Sequence, residues 1–284
     1  MGFILCFGCA VAFSGLDASR KHLLQTFDPL TLLALLSAAQ GLVYVGWVGA
    51  SAWRVLPEYI PLGASVVVLQ ILANLLLLKA LSISSLSRII PFLSLTPVLT
   101  GLFGQATLGQ APSSFQWIGI FSVTIGTLML SWVRGAAEAP GFDKGTVMTL
   151  GVTLIWSATA ALDKLAIERS NSASHALVQA SAMAVVLLGY TWLRGRFNEL
   201  LLLRRHGGAF ALAVFFGSSA LALQFMAIET VWVSLVETIK RGTGSFLALV
   251  IGRMRFQEPL GVRKVLAVGL IVLGTSLVLL ADNR

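Results

Sequence analysis

The chain has 284 residues and a mean hydropathy of +0.88; 57% of it is hydrophobic and only 11% is Asp, Glu, Lys or Arg. Soluble domains carry about 25% charged residues, so this composition excludes a water-solvated globule and makes lipid the main solvent. The net charge of +8 does not point to nucleic acid, because most Lys and Arg fall between apolar runs, where they orient a chain in a bilayer.

A spanning helix needs about 20 mainly apolar residues. Ten stretches qualify, at 2–24, 30–53, 60–81, 84–109, 113–134, 145–167, 173–194, 208–229, 231–252 and 260–281. Pro29, Pro57, Pro112, Pro140 and Pro259 fall at or near the breaks, as expected of a residue that lacks a backbone donor and disfavours helix before it. Residues 196–208, "RFNELLLLRRHGG", are expected to form a short interfacial helix with basic residues near the headgroups. Cys6 and Cys9 form a C-x-x-C within the first apolar stretch; two buried, inert thiols are the expectation there rather than a redox pair. Met1 lacks a basic leader, so the first stretch is expected to be a span and not a cleaved signal.

The two halves resemble each other at an offset of 146 to 148 residues. "GLDASRKHL" aligns with "ALDKLAIER", placing Asp17 against Asp163. Ala80-Leu81 aligns with Ala227-Ile228, "GQAP" with "FQEP", and Gly126-Thr127 with Gly274-Thr275. Their common order implies a five-plus-five duplication: 1–134, a linker at 135–144, and 145–284. Five spans is an odd number, so the halves sit in opposite orientations. The expected fold is an all-α membrane protein of ten transmembrane helices in two inverted five-helix repeats, an architecture that places a substrate site near the midplane between repeats. Lys and Arg concentrate in the odd-numbered connections, and the positive-inside rule then puts both termini outside the cytoplasm.

Charges within spans are the candidate functional groups, because each costs about 2.5–3.5 kcal/mol at the bilayer centre. Glu237, Lys240 and Arg241 lie in "SLVETIKRGTGSFLALVIG". Their i, i+3, i+4 spacing puts them on one helix face, with Lys240 roughly 13 Å into its span. Either Glu237 neutralises the cluster internally, or the remaining positive charge binds an anionic substrate group. Arg offers a bidentate fork for carboxylate or phosphate, and Lys a mobile point charge. Gly242 and Gly244 permit a kink, or close packing of neighbouring helices. Asp17 and Asp163 are candidates for coupling or gating, against a role as interfacial charges at helix ends. Arg88 is a candidate second contact, against snorkelling to the interface. Asn74, Gln224 and Trp232 are candidate pocket residues, against interhelical hydrogen bonding or packing. His22, His175 and His206 show no metal-ligand spacing, and no metal or cofactor is expected.

With those residues in place, the chain resembles the drug/metabolite transporter superfamily, of the EamA type. The layout fits, as do the endings of the halves, "SLTPVLTGLFGQATLGQAPSSFQWIGIFSVTIGTLML" and "SFLALVIGRMRFQEPLGVRKVLAVGLIVLGTSLVLL". Pro97 takes the place of the family's mid-fourth-span proline, and Glu258 that of the Glu before the tenth span; Gln110-Ala111 departs from the pattern in the first half. The Lys240-Arg241 pair is similar to one in the nucleotide-sugar and triose-phosphate branch, which implies contact with substrate phosphate. The resemblance implies a bacterial inner (plasma) membrane location and both termini in the cytoplasm, opposite to the charge count.

The expected function is secondary transport of a small polar, anionic metabolite by alternating access. Expected partners are that substrate, membrane lipids, a proton or counter-substrate, and a second copy in a homodimer. The alternatives are a lipid flippase or membrane-embedded lipid-handling protein using the same cationic cleft, and a non-transporting interaction subunit. No H-E-x-x-H, Walker A or G-x-S-x-G occurs, and no enzymatic activity is expected.

Overall fold

The computed structural model describes residues 1–83, 92–134, 144–195, 203–256 and 261–281. Among these, ten helices of eight or more residues follow in chain order: α1 (Gly2–Leu23), α2 (Pro29–Ser51), α3 (Tyr59–Ile83), α4 (Thr96–Leu108), α5 (Ser114–Arg134), α6 (Lys144–Glu168), α7 (Ser172–Leu193), α8 (Leu203–Thr230), α9 (Val233–Phe256) and α10 (Val262–Leu280). Local chemistry sets several ends. Pro29 opens α2 behind Asp28, whose carboxylate accepts from the Leu30 amide at 3.2 Å, the usual N-cap arrangement. Asn171 caps α7 by accepting from the Ser174 amide at 2.8 Å. Gly109, at φ +64°, closes α4 in the left-handed conformation that glycine adopts freely.

Seven of these helices are long and apolar enough to cross a membrane: α1, α2, α3, α6, α7, α8 and α10. The helix α9, which carries Glu237, Lys240 and Arg241, is not among them. Large apolar side chains such as Leu42, Val185, Phe215 and Leu273 face outward, as lipid contact requires. The interior holds many hydroxyls and amides, including Thr146, Thr149, Thr153 and Ser157 along α6. These polar groups sit beside an apolar core, and burying them in protein follows from a solvent that cannot hydrogen-bond.

Two expected elements differ from what forms. The fourth span was placed at 84–109, but the continuous helix begins only at Thr96, after a turn at Ser94–Leu95; 84–91 lie outside the described residues. Pro97 near the helix start explains the late beginning, since its ring is tolerated in a first turn and clashes further in. The interfacial helix expected at 196–208 is not separate where it is described. Residues 203–208 are the first turns of α8, bent at His206 (φ −116°, ψ 19°). Its ring packs against Phe27, with centroids 6.0 Å apart. Apolar and aromatic contact at that end draws the segment into the bundle. The remainder, 196–202, lies outside the described residues, as does most of the linker at 135–144.

Helices from the first half pack mainly on helices from the second. The principal partners are α1 with α8, α2 with α7, α3 with α6, and α5 with α10. At one end of the bundle the connections are stitched by hydrogen bonds. The Leu56 amide donates to the Arg169 carbonyl (2.9 Å), and Gln110 Oε1 accepts from the Val233 amide (3.1 Å) at the start of α9. The glutamine that departs from the family pattern therefore caps a helix of the other half.

The α5–α10 crossing is the closest of these contacts. A Cβ on Gly119 would lie 2.7 Å from the Gly274 carbonyl oxygen, one on Gly274 2.6 Å from the Gly119 oxygen, and one on Gly126 2.7 Å from the Ala267 oxygen. Small residues that let backbones meet are a main source of helix association in lipid. Gly242 belongs to the same region: its added Cβ would press Thr275 Oγ1 at 3.1 Å and Ile271 at 3.3 Å, so close packing is its role. Gly274→Ala is expected to lower the unfolding midpoint in detergent through overpacking of about 1–3 kcal/mol. Gly269→Ala, where nothing lies within 4 Å, should leave it unchanged or raise it by up to about 1 kcal/mol.

Candidate functional site

The charged face of α9 points into the bundle. Glu237 is buried, and its Oε1 takes a salt bridge from the Lys240 Nζ one turn along. Lys240 Nζ also donates to Gln224 Oε1 of α8 at 2.9 Å and lies 5.0 Å from the centre of the Phe13 ring of α1. The ammonium thus sits between a carboxylate, an amide oxygen and an aromatic face, each of which replaces some of its lost hydration. Arg241 turns toward α4, with Nη2 donating to Thr96 Oγ1 at 3.4 Å.

Thr96 is where the discontinuity in α4 matters. The turn at Ser94–Leu95 interrupts helical bonding at membrane depth, and such backbone is tolerated only when buried in protein or lining a cavity. The turn is bonded locally: the Phe92 carbonyl accepts from the Leu95 amide (3.2 Å) and the Leu93 carbonyl from Thr96 Oγ1 (2.6 Å). The α6 hydroxyls of Thr153 and Ser157, which donate to carbonyls of their own helix at 2.8 and 2.7 Å, lie 3.3 Å from the Phe92 and Thr96 carbonyls. The first turn of α4 begins beside Arg241. A helix N-terminus carries partial positive charge, so this end of α4 adds to the guanidinium rather than opposing it.

Two polar atoms of the cluster, Glu237 Oε2 and Arg241 Nε, are buried without a hydrogen-bond partner among the described residues. Buried polar atoms in native proteins nearly always have partners. The site therefore presents an unmet acceptor and an unmet donor, beside a formal excess of one positive charge from one Glu, one Lys and one Arg.

The other expected site residues divide clearly. Gln224 joins the cluster through Lys240. Trp232 packs half-buried against the core at the α8–α9 junction. Asn74 turns back on its own helix, with Nδ2 donating to the Gln70 carbonyl at 2.7 Å. Asp17 is exposed on α1, within electrostatic reach of Arg20, Lys240 and Arg241. Arg88 and Glu258 lie outside the described residues. Asp163 is buried at 2% exposure near the end of α6, with Oδ1 3.0 Å from His175 Nε2. The sequence does not single out Thr96, Phe13 and Tyr59, and marks His175 only as a histidine without metal-ligand spacing. Only Thr96 had a signal, its place before Pro97.

Glu237→Gln removes the counter-charge and leaves a buried ammonium. The expected loss is about 3–5 kcal/mol of stability, as for other broken buried pairs. The double variant Glu237→Leu/Lys240→Met should recover most of it, measured as the thermal unfolding midpoint in detergent.

One comparison with known proteins shows the family. The model of the EamA-like transporter family matches residues 1–132 and 143–280. Among solved structures 29 chains match. One, described only as the crystal structure of a protein, is 19% identical, with a TM-score of 0.76 over 99% of this chain and 97% of its own; that likeness shows a shared fold. Comparison with curated proteins gives no match. The chain is an integral, multi-pass membrane protein and belongs to the EamA-like transporter family.

Proposed function

We propose that the protein is a secondary transporter that binds a small, polar, anionic metabolite at Lys240 and Arg241 and moves it by alternating access. The observation that carries this reading is the pairing of Arg241 with Thr96 at the start of α4, next to the Lys240–Glu237 pair. Helix N-termini and cations converging near the middle of a bundle are how transporters hold anionic groups in lipid. Arg241 Nε is a donor in search of an acceptor, and Glu237 Oε2 an acceptor in search of a donor. A metabolite with an anionic group and a hydrogen-bond donor nearby satisfies both.

Alternating access needs two bodies that rock about the site. The pairing of helices supports two inverted repeats, 1–134 and 145–284. Exchanging each helix with its counterpart five places on converts the α1–α8 contact into the α6–α3 contact and returns α2–α7 and α5–α10 to themselves. That is the pattern of an approximate two-fold axis in the membrane plane. The lipid-flippase reading uses the same cations, with a lipid phosphate in place of a soluble anion.

A thermal-shift screen of purified protein against amino acids, organic acids and phosphorylated metabolites tests the proposal. Anionic compounds are expected to raise the melting midpoint of the wild type, by about 2.7 kcal/mol of added stability at 100 times the dissociation constant. Lys240→Ala and Arg241→Ala should abolish the shift. Equal stabilisation of both variants would overturn the anion site, and a response to lipids alone would select the flippase reading.

A further inference from the structure

A second polar assembly lies nearer one end of the bundle, apart from the α9 cluster. His175, at the start of α7, is 0% exposed and uses both ring nitrogens: Nε2 lies 3.0 Å from Asp163 Oδ1 of α6, and Nδ1 2.9 Å from Tyr59 Oη of α3. Asp163 and Tyr59 are themselves buried, at 2% and 3%. Three helices from both halves of the chain thus meet in one hydrogen-bonded line.

We propose that Asp163, His175 and Tyr59 form a proton-binding site that opens and closes this end of the bundle during transport. The proposal rests on the transporter reading for its purpose but not for its chemistry. The carboxylate accepts from Nε2–H, which fixes the tautomer. Neutral His175 then accepts the Tyr59 hydroxyl at Nδ1, and the site carries one buried negative charge. A proton taken from water adds to Nδ1 and makes an imidazolium paired with a carboxylate, so the net charge becomes zero. The Nδ1–Tyr59 bond must reverse, with Nδ1–H donating to Oη, and the tyrosine hydrogen must turn to another acceptor. Protonation therefore changes how α3 is held to α7.

A pocket open to water lies close to the site in the chain. A surface pocket of about 300 Å³ is lined by Arg54, Lys164, Ile167, Glu168, Asn171 and Glu229, and Ile167 is one helical turn from Asp163. The charged groups on the packed elements at this end are as follows. Lys164 of α6 donates to the Ile228 carbonyl (2.6 Å), Glu229 of α8 accepts from Ser172 (2.5 Å), and Arg54 precedes α3, with its amide donating to Ser174 (3.1 Å). Glu58 precedes Tyr59, Glu168 and Arg169 end α6, and α2 contributes no charged side chain. Ala52 holds φ +69° with its carbonyl bonded to Asn171 (3.1 Å). An alanine at positive φ is a strained residue of the kind found at switch segments.

The site also touches the machinery around Lys240. The His175 ring lies 4.9 Å from that of Phe225, and the preceding residue, Gln224, holds Lys240. A shift of α7 against α8 therefore reaches the substrate cluster within one helical turn.

The test needs no substrate. Ring nitrogens of 15N-histidine-labelled protein in lipid nanodiscs are followed by NMR, with His175→Gln assigning the signal among the three histidines. Amide hydrogen exchange of 164–175 and 224–230 is measured alongside. The His175 ring is expected to pass from imidazolium to the Nε2–H tautomer as the pH is raised. Exchange in both segments, corrected for the intrinsic rate, should change by about fivefold or more across that transition. Asp163→Asn and His175→Gln should each remove the change, and Tyr59→Phe should reduce it while leaving the titration visible. A His175 ring in one protonation state throughout, or an exchange response equal in all variants, overturns the proposal. The thermal-shift screen can fail while this result stands, and the reverse also holds.

Discussion

The fold depends on one constraint: inside a bilayer, every charge and every interrupted stretch of backbone must be answered by protein. Lys240 is answered by Glu237, Gln224 and the face of Phe13. The broken entry to α4 is answered within its own turn, with the Leu95 amide and the Thr96 hydroxyl donating to the Phe92 and Leu93 carbonyls. The partners of Lys240 come from α1, α8 and α9, so satisfying one charge draws both halves of the chain to the centre. Apolar burial alone could not do this, because lipid tails offer an exposed leucine nearly the same environment as a neighbouring helix.

The same constraint explains where the protein is dense and where it is polar. The α5–α10 crossing, with Gly119 and Gly274 in mutual backbone contact, gives the bundle a rigid seam by close packing. The α3–α6–α7 side is joined instead by Tyr59, His175 and Asp163. Close packing has one favoured arrangement, whereas a hydrogen-bonded line with a titratable centre has two. Under the proposed switch, the hydrogen-bonded side of the bundle would be the one that moves and the glycine seam the one that stays fixed.

Much of the fold was legible because hydropathy and helix length are local. The ten stretches read from the sequence correspond in order to the ten helices, and the charged face of α9 followed from i, i+3, i+4 spacing. The site was only half legible. Glu237 with Lys240 is a one-turn contact that the sequence displays, but Arg241 with Thr96 spans 145 residues. The Asp163 and Tyr59 partners of His175 are 12 and 116 residues away. Nothing local distinguishes a histidine that completes such a line from one at a membrane surface. Asn74 failed for the opposite reason: its amide shares the carbonyl one turn back on its own helix, and polarity within a span then signals nothing about a pathway.

The junction between the two polar assemblies is a pair of adjacent residues. Successive side chains on a helix diverge by about 100°, so Gln224 and Phe225 look in different directions from the same turn of α8. One holds Lys240 of α9; the other lies against the ring of His175 of α7. Neither could follow its partner far without carrying the other, because the helix between them is continuous. In the proposed switch, a proton at His175 would relax the hold of α3 on α7, and displacement of the imidazole against Phe225 would be delivered to Gln224, which holds the Lys240 ammonium. The coupling needs no long pathway through the protein, only a helix stiff enough to act as one body and a buried charge large enough to move it.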